Sequence, residues 1–202
     1  MIQYNQEFFS IPNKINSYWA GFIAADGNIH KNLSDISVNL GIRDKDHLER
    51  LASALEYGGT IKIRKDKKAA RLRWCRTQNM AEDLSRHYNI TPQKTCNLKF
   101  PRQLTNQEHM FSFIAGFIDG DGWVTNDELT LGVIGTKSMI DGIQEHLSLI
   151  HPHVATYTIT ARPHVNTFQI QIGKKASISI SDYMRTLDLP LMGRKWDKFL
   201  TS

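Results

Sequence analysis

Asp26 and Asp121 are the residues of this 202-residue chain whose type and setting point to chemistry. Each closes one of two matching stretches, Trp19-Ala20-Gly21-Phe22-Ile23-Ala24-Ala25-Asp26-Gly27 and Ile114-Ala115-Gly116-Phe117-Ile118-Asp119-Gly120-Asp121-Gly122. Both read as helices that end in Asp-Gly, the glycine being suited to a left-handed cap. A helix C-terminus carries partial negative charge, and two carboxylates brought together there also repel each other. A hard divalent cation bound by oxygens, with water filling its other positions, resolves that conflict.

The helices that must bring these acids together carry small residues four apart, Gly21 with Ala25 and Gly116 with Gly120. Small residues on one stripe let two helix backbones approach closely, because interaxial distance is set by the side chains at the contact. Glycine inside a helix costs about 1 kcal/mol against alanine, so matched glycines imply a packing role. The two stretches therefore read as one helix pair.

With 41% hydrophobic residues the chain can bury a core, so disorder is not expected. The net charge of +5 favours an anionic partner, and its distribution is uneven. Residues 1–101 hold 16 Lys and Arg against 10 acids, whereas residues 102–202 hold 9 against 10, so a polyanion should feel the first half more strongly. Cys75 and Cys96 have no CxxC neighbour, which indicates neither a zinc site nor a disulfide framework; both read as reduced thiols. No apolar run is long enough to span a bilayer and no signal pattern opens the chain, so a soluble intracellular protein without a membrane partner is expected. With no nucleophilic first residue and no terminal His-Asn pair, a whole intein is not expected, nor is room expected for an added helix-turn-helix domain.

Asn13, after Pro12, is placed to cap the first motif helix. Past Gly27 the period changes from helical to alternating. Ile36, Val38, Leu40 and Ile42 interleave with Ser37, Asn39 and Arg43 in a half-buried strand, with 28–32 pairing against it. A helix over 44–56 leads to a second hairpin in which Ile61, Ile63, Leu72 and Trp74 alternate with Lys62, Arg64, Arg71 and Arg73. From Lys62 to Arg76 eight basic residues face one acid, Asp66; a solvated face explains a basic run, but on two adjacent strands it forms one cationic surface suited to nucleic acid. A short helix over 78–87 follows, and Thr91-Pro92-Gln93-Lys94-Thr95 ends the first unit. Thr105 with Glu108 forms a capping box for the second motif helix, and the order repeats. Strands are expected at 123–125, 128–134, 155–162 and 167–173, and helices over 138–149 and 176–187. The histidines are scattered, and His151-Pro152-His153 reads as a loop.

The two nonapeptides resemble the paired motifs of the LAGLIDADG homing endonucleases in their single-chain form. The second copy departs only by exchanging large apolar residues at Ile114 and Phe117; the first departs at Trp19 and at Ala24, where the family's first aspartate stands, and keeps the later one, Asp26. The resemblance covers nearly the whole chain. It implies an α+β fold of two pseudo-symmetric αββαββα units, 1–101 and 102–202, each with a four-stranded antiparallel sheet. Gly21, Ala25, Gly116 and Gly120 would form the helix interface, and the sheets a saddle over the DNA major groove.

The resemblance also implies the activity: a monomer that cuts double-stranded DNA at a long asymmetric site and thereby mobilises an intron. Mg²⁺, for which other divalent cations can substitute, would be held by Asp26 and Asp121 with Ala25 and Gly120 beside them. Divalent metal can position the attacking water, offset transition-state charge and assist the leaving oxygen. A lysine near each centre is part of the family pattern, with Lys94 and Lys195 as candidates, although ordinary surface lysines would read the same way. Asp119 has no counterpart at Ala24 and is expected to matter far less than Asp121. The DNA-facing candidates in the first unit are Asn28, His30, Asn32, Ser37, Asn39, Arg43, Lys62, Arg64, Arg71, Arg73 and Arg76. Those in the second are Thr125, Thr158, Thr160, Arg162, Gln169 and Gln171. Arg and Lys suit guanine, Asn and Gln suit adenine; solvent exposure explains any one of them as well. An intron maturase that binds intron RNA, or a cleavage-inactive DNA-binding protein of the same fold, is the alternative.

Overall fold

Asn13 opens the first motif helix, α1 (Lys14–Asp26), through a reciprocal cap: its Oδ1 accepts from Asn16 N at 2.9 Å, and Asn16 Oδ1 accepts from Asn13 N at 2.7 Å. These are features of a computed structural model that describes residues 2–94, 97–163 and 166–201. Thr95, beside Lys94, and Cys96, expected to be a reduced thiol, lie outside the described residues; Cys75 is a free, exposed cysteine.

After α1 come β1 (Gly27–Ile29), β2 (Asp35–Gly41), α2 (Lys45–Ala54), β3 (Lys62–Arg64), β4 (Ala69–Cys75) and α3 (Gln78–Tyr88). The second half repeats the order with α4 (Gln107–Asp121), β5 (Gly122–Val124), β6 (Leu131–Gly135), α5 (Lys137–Ile150), β7 (Thr160–Ala161), β8 (Phe168–Ile172) and α6 (Lys174–Thr186). A short helix, α7 (Gly193–Trp196), follows and has no equivalent among the described residues of the first half. Each half holds one antiparallel four-stranded sheet, in the orders β1-β2-β4-β3 and β5-β6-β8-β7. The inner faces, through Ile36, Val38, Leu72 and Trp74 in one sheet and Leu131, Val133, Ile170 and Ile172 in the other, are buried under the helices. No helix among the described residues is long and apolar enough to cross a membrane.

The two halves meet through α1 and α4. A Cβ on Gly21 would stand 1.9 Å from Phe113 O, one on Gly116 would stand 1.9 Å from Tyr18 O, and one on Gly120 would stand 2.2 Å from Ala25 Cβ. The glycine stripes thus lie where the backbones touch, as the sequence pattern predicts.

Several local expectations are corrected. α4 is capped by Asn106, whose Oδ1 accepts from His109 N at 3.0 Å, so the box of Thr105 and Glu108 does not form; asparagine caps as well as threonine, and the helix starts one residue later. Gly27 and Gly122 are not left-handed caps but extended, with φ of −80° and −101°, because a strand starts at each of them directly. β2 stops at Gly41, which leaves Ile42 exposed and Arg43 in a 3-10 turn rather than a strand. Ile63 is 42% exposed on the edge strand β3. The expected strand 155–162 shrinks to two residues, so Thr158 precedes it. Pro152 starts a 3-10 turn over Pro152–Thr156, and Gln144 Nε2 donates to Val154 O and Tyr157 O, holding that backbone away from the sheet.

Candidate metal centre and nucleic-acid interface

Asp26 and Asp121 end the two helices that touch, each half-buried and each continuing directly into the first strand of its sheet. Asp26 Oδ2 lies 3.4 Å from where a Cβ on Gly120, the neighbour of Asp121, would stand. Burial holds the Asp26 carboxyl above its ordinary range, with Lys195 and Lys94 pulling the other way. Asp121 is pushed up to about 6, first by burial and then by the charge of Asp26. The pair is an electrostatic conflict of the kind a bound cation relieves. Among the described residues no group of three or more His, Cys, Asp or Glu is placed to hold a metal. Two carboxylates alone fit a hard cation that takes its remaining oxygens from water and phosphate.

Each helix end is also met by a lysine. Lys94 Nζ donates to Ala24 O at 2.6 Å and Ala25 O at 3.0 Å. Lys195 Nζ donates to Ile118 O at 2.8 Å, Asp119 O at 2.6 Å and Gly120 O at 3.4 Å. Ammonium groups on terminal carbonyls offset the negative end of the helix dipole. Lys195 is 3% exposed, and burial brings its amine down to about 8, against the raising effect of Asp119; burial also lowers Lys94. All three donors of the Lys195 ammonium are engaged, which makes it a fixed positive charge rather than a free base. The carbonyls of Ala25 and Gly120, the residues expected beside the metal, face these lysines, each with a second lone pair left.

Asp119 has structural partners that its missing counterpart at Ala24 did not suggest. It is 1% exposed; its Oδ2 accepts from Tyr18 Oη at 2.5 Å and Met192 N at 3.0 Å, and its Oδ1 accepts from Trp196 Nε1 at 2.7 Å. Tyr18 in turn lies 3.1 Å from His47 Nε2. Burial brings His47 down to about 4, so it is the neutral ring, donating through Nε2 to a hydroxyl that donates to Asp119. Nothing in the sequence ties these partners together, since they come from both halves.

On the outer face of the first sheet, Asn28 and Asn39 are exposed, as are Lys62 and Arg64 on the edge strand. His30 Nδ1 and Asn32 Oδ1 bond each other at 2.6 Å in the β1–β2 turn. Arg73 is committed to Asp35, donating to its two oxygens at 2.9 and 3.0 Å, and its hydrogen bonds hold that carboxyl below the usual range. Ser37 is buried at 1% exposure and accepts from Arg71 at 3.4 Å, so it is not an open base-reading group. Arg43 is exposed in its turn, 3.6 Å from Asp44, and Arg76 is exposed just beyond β4 with a left-handed φ of 68°. In the second half Thr125 Oγ1 accepts from Thr130 N, Gln169 is half-buried, and Thr158, Thr160, Arg162 and Gln171 are exposed. Sequence reasoning passed over Trp123. Its strand partner is Gly132, where a Cβ would stand 2.1 Å from the indole, so the ring lies over that glycine on the outer face two residues from Asp121. The inward Val124 was the available signal, because strand neighbours point to opposite faces.

No family model matches the chain, and no curated protein matches it. Solved structures do. The I-LtrWI LAGLIDADG homing endonuclease bound to target DNA matches with a TM-score of 0.60 at 12% identity, over 98% of this chain and 90% of that one. I-DmoI in complex with DNA and Mn matches at 0.58 and 17% identity, over 85% and 96% of the two chains. Full-length DUF199/WhiA from Thermatoga maritima matches at 0.58 and 14% identity, over 98% of this chain but 64% of that one, so this chain spans less than two thirds of that protein. At such identities the likeness is one of fold, and the fold, two pseudo-symmetric halves joined by paired Asp-Gly helices, is that of the LAGLIDADG homing endonucleases.

Proposed function

We propose that this chain is a site-specific endonuclease that hydrolyses phosphodiesters of double-stranded DNA at a long asymmetric target, using Mg²⁺ or a similar divalent cation. The observation that carries the reading is the acid pair: Asp26 and Asp121 end the two touching helices, between two sheets whose outer faces are polar. The same fold occurs in DUF199/WhiA, so fold alone does not carry it.

In this reading the units 1–101 and 102–202 each bind one half-site, and one chain supplies both acids, so it works as a monomer on a site that need not be palindromic. Asp26 and Asp121 hold the cation, with Ala25 and Gly120 beside them. When bound, the cation supplies Lewis-acid help to the attacking and departing oxygens. The chain contributes the rest. Lys94 and Lys195 place fixed positive charge under the site, where it offsets the charge that builds on the phosphate as the transition state forms. Lys62, Arg64 and Arg71 neutralise backbone phosphates and so fix register, while Asn28, Asn39, Gln169 and Gln171 are placed to meet base edges.

The test is incubation with Mg²⁺ and a randomised duplex library, followed by sequencing of the ends. Cleavage at one long asymmetric motif is expected. Retention of duplex without new ends would favour the cleavage-inactive reading, and preferential binding of structured RNA the maturase reading.

A further inference from the structure

The carboxylate of Asp119 is not one of the acid pair, yet it is buried and bonded on three sides. A buried carboxylate persists when its lone pairs are satisfied, and here each bond has a distinct address. Tyr18 belongs to the opposite motif helix. Met192 and Trp196 flank Lys195, one on each side. The same segment is held again by Arg194, whose Nε and Nη2 donate to Asp44 Oδ1 and Oδ2 at 2.5 and 3.0 Å. Asp44 belongs to the first half, at the start of α2.

Among the described residues Lys94 has no such arrangement around it. Ala24 stands where Asp119 does and offers no carboxylate, and Lys94 reaches two carbonyls where Lys195 reaches three. Beside Lys94 a cavity of about 250 Å³ lies against Ala24, Leu98, Phe117 and Ile134 and reaches Asp121. Lys94 therefore borders open space, and Lys195 is enclosed by bonded neighbours.

We propose that Asp119 is a positioning residue for Lys195. By tying Met192 N and the Trp196 indole to the motif helices, it fixes the intervening Lys195 ammonium against the end of α4 and holds it more stiffly than Lys94 is held. The strand-specific consequence rests on the nuclease reading; the positioning itself does not.

The test uses the full chain with Asp119→Asn, and with Trp196→Phe, which removes a single donor and keeps an aromatic ring. On the protein alone, a brief pulse of acetic anhydride followed by peptide mass spectrometry measures the reactivity of each lysine. Lys195 labelling is expected to rise roughly tenfold in Asp119→Asn, the order set by losing a hydrogen bond to a charged group, and less in Trp196→Phe. Lys94 labelling should not change; loosening of the whole fold would raise both. In single-turnover cleavage of a library-selected duplex labelled on either strand, Asp119→Asn should slow the strand that Lys195→Met slows and leave duplex affinity intact, so that nicked product accumulates. Unchanged Lys195 labelling in both variants, or equal slowing of the two strands, overturns the proposal. If Asp119→Asn does not fold, Trp196→Phe decides alone. A wild-type protein that cuts no duplex would sink the nuclease reading, and the labelling would still decide the positioning.

Discussion

The carbonyl oxygen of Phe113 stands 1.9 Å from where a Cβ on Gly21 would sit, and Gly116 stands in the same relation to Tyr18. A methyl group at either place meets backbone, which cannot swing aside as a side chain can. Gly21→Ala and Gly116→Ala are therefore each expected to destabilise by about 1–3 kcal/mol or more, since overpacking at a rigid contact costs that much. Cleavage should fall along with the melting temperature. An alanine variant of full stability would mean that these backbones do not touch.

The basic hairpin divides into residues with at most long contacts, such as Arg64 at 3.6 Å from Asp66 and Arg71 at 3.4 Å from Ser37, and Arg73, which is committed to a buried carboxylate. Lys62→Ala, Arg64→Ala and Arg71→Ala combined should weaken DNA binding and flatten the salt dependence, by about 0.9 in log–log slope for each phosphate the variant no longer neutralises. Arg73→Ala should instead lower thermal stability, because it strips Asp35 of the guanidinium it is bonded to. The sign with pH follows from that bond. Asp35 is depressed in the folded state, so its contribution is present above the unfolded value near 4 and fades as pH falls through the folded value. The stability gap between wild type and Arg73→Ala should thus narrow in acid; urea titrations at neutral pH and near pH 3 measure it.

Asp121 has the opposite sign. Its carboxyl, pushed up to about 6, keeps a proton in the folded protein over a range in which the unfolded chain has lost it. The folded state binds more protons between about pH 4 and 6, so the stability of the metal-free protein falls as pH rises through that window. A cation between the acids removes the cost. Mg²⁺ should raise the melting temperature near pH 7.5, in proportion to about 2.7 kcal/mol at one hundred times its Kd, and have little effect near pH 4.5. EDTA should reverse the gain. Equal stabilisation at both pH values would place the cation away from these acids.

Much of this was legible in the sequence because it is written in short-range pattern. The glycine stripes, the alternation of Ile36 to Leu40 and the Asn13 cap each depend on residues a few positions apart. The strand expected at 155–162 failed for a long-range reason: Gln144 holds its backbone off the sheet. The partners of Asp119 were out of reach of pattern in the same way, since Tyr18 and Trp196 lie in other elements. Arg73 and Ser37 face outward by strand parity, yet the first is paired and the second covered, which parity does not report.

The most direct measurement compares Asp26→Asn and Asp121→Asn with wild type on one library-selected duplex in Mg²⁺, by strand-resolved cleavage and gel shift. Asparagine keeps the shape of aspartate but offers a neutral oxygen, a poor substitute as a ligand for a hard cation. Each variant is expected to bind the duplex at least as tightly as wild type, having lost a negative charge near the phosphates, and to lose most cleavage of both strands. Full cleavage by either variant would contradict a shared two-carboxylate centre.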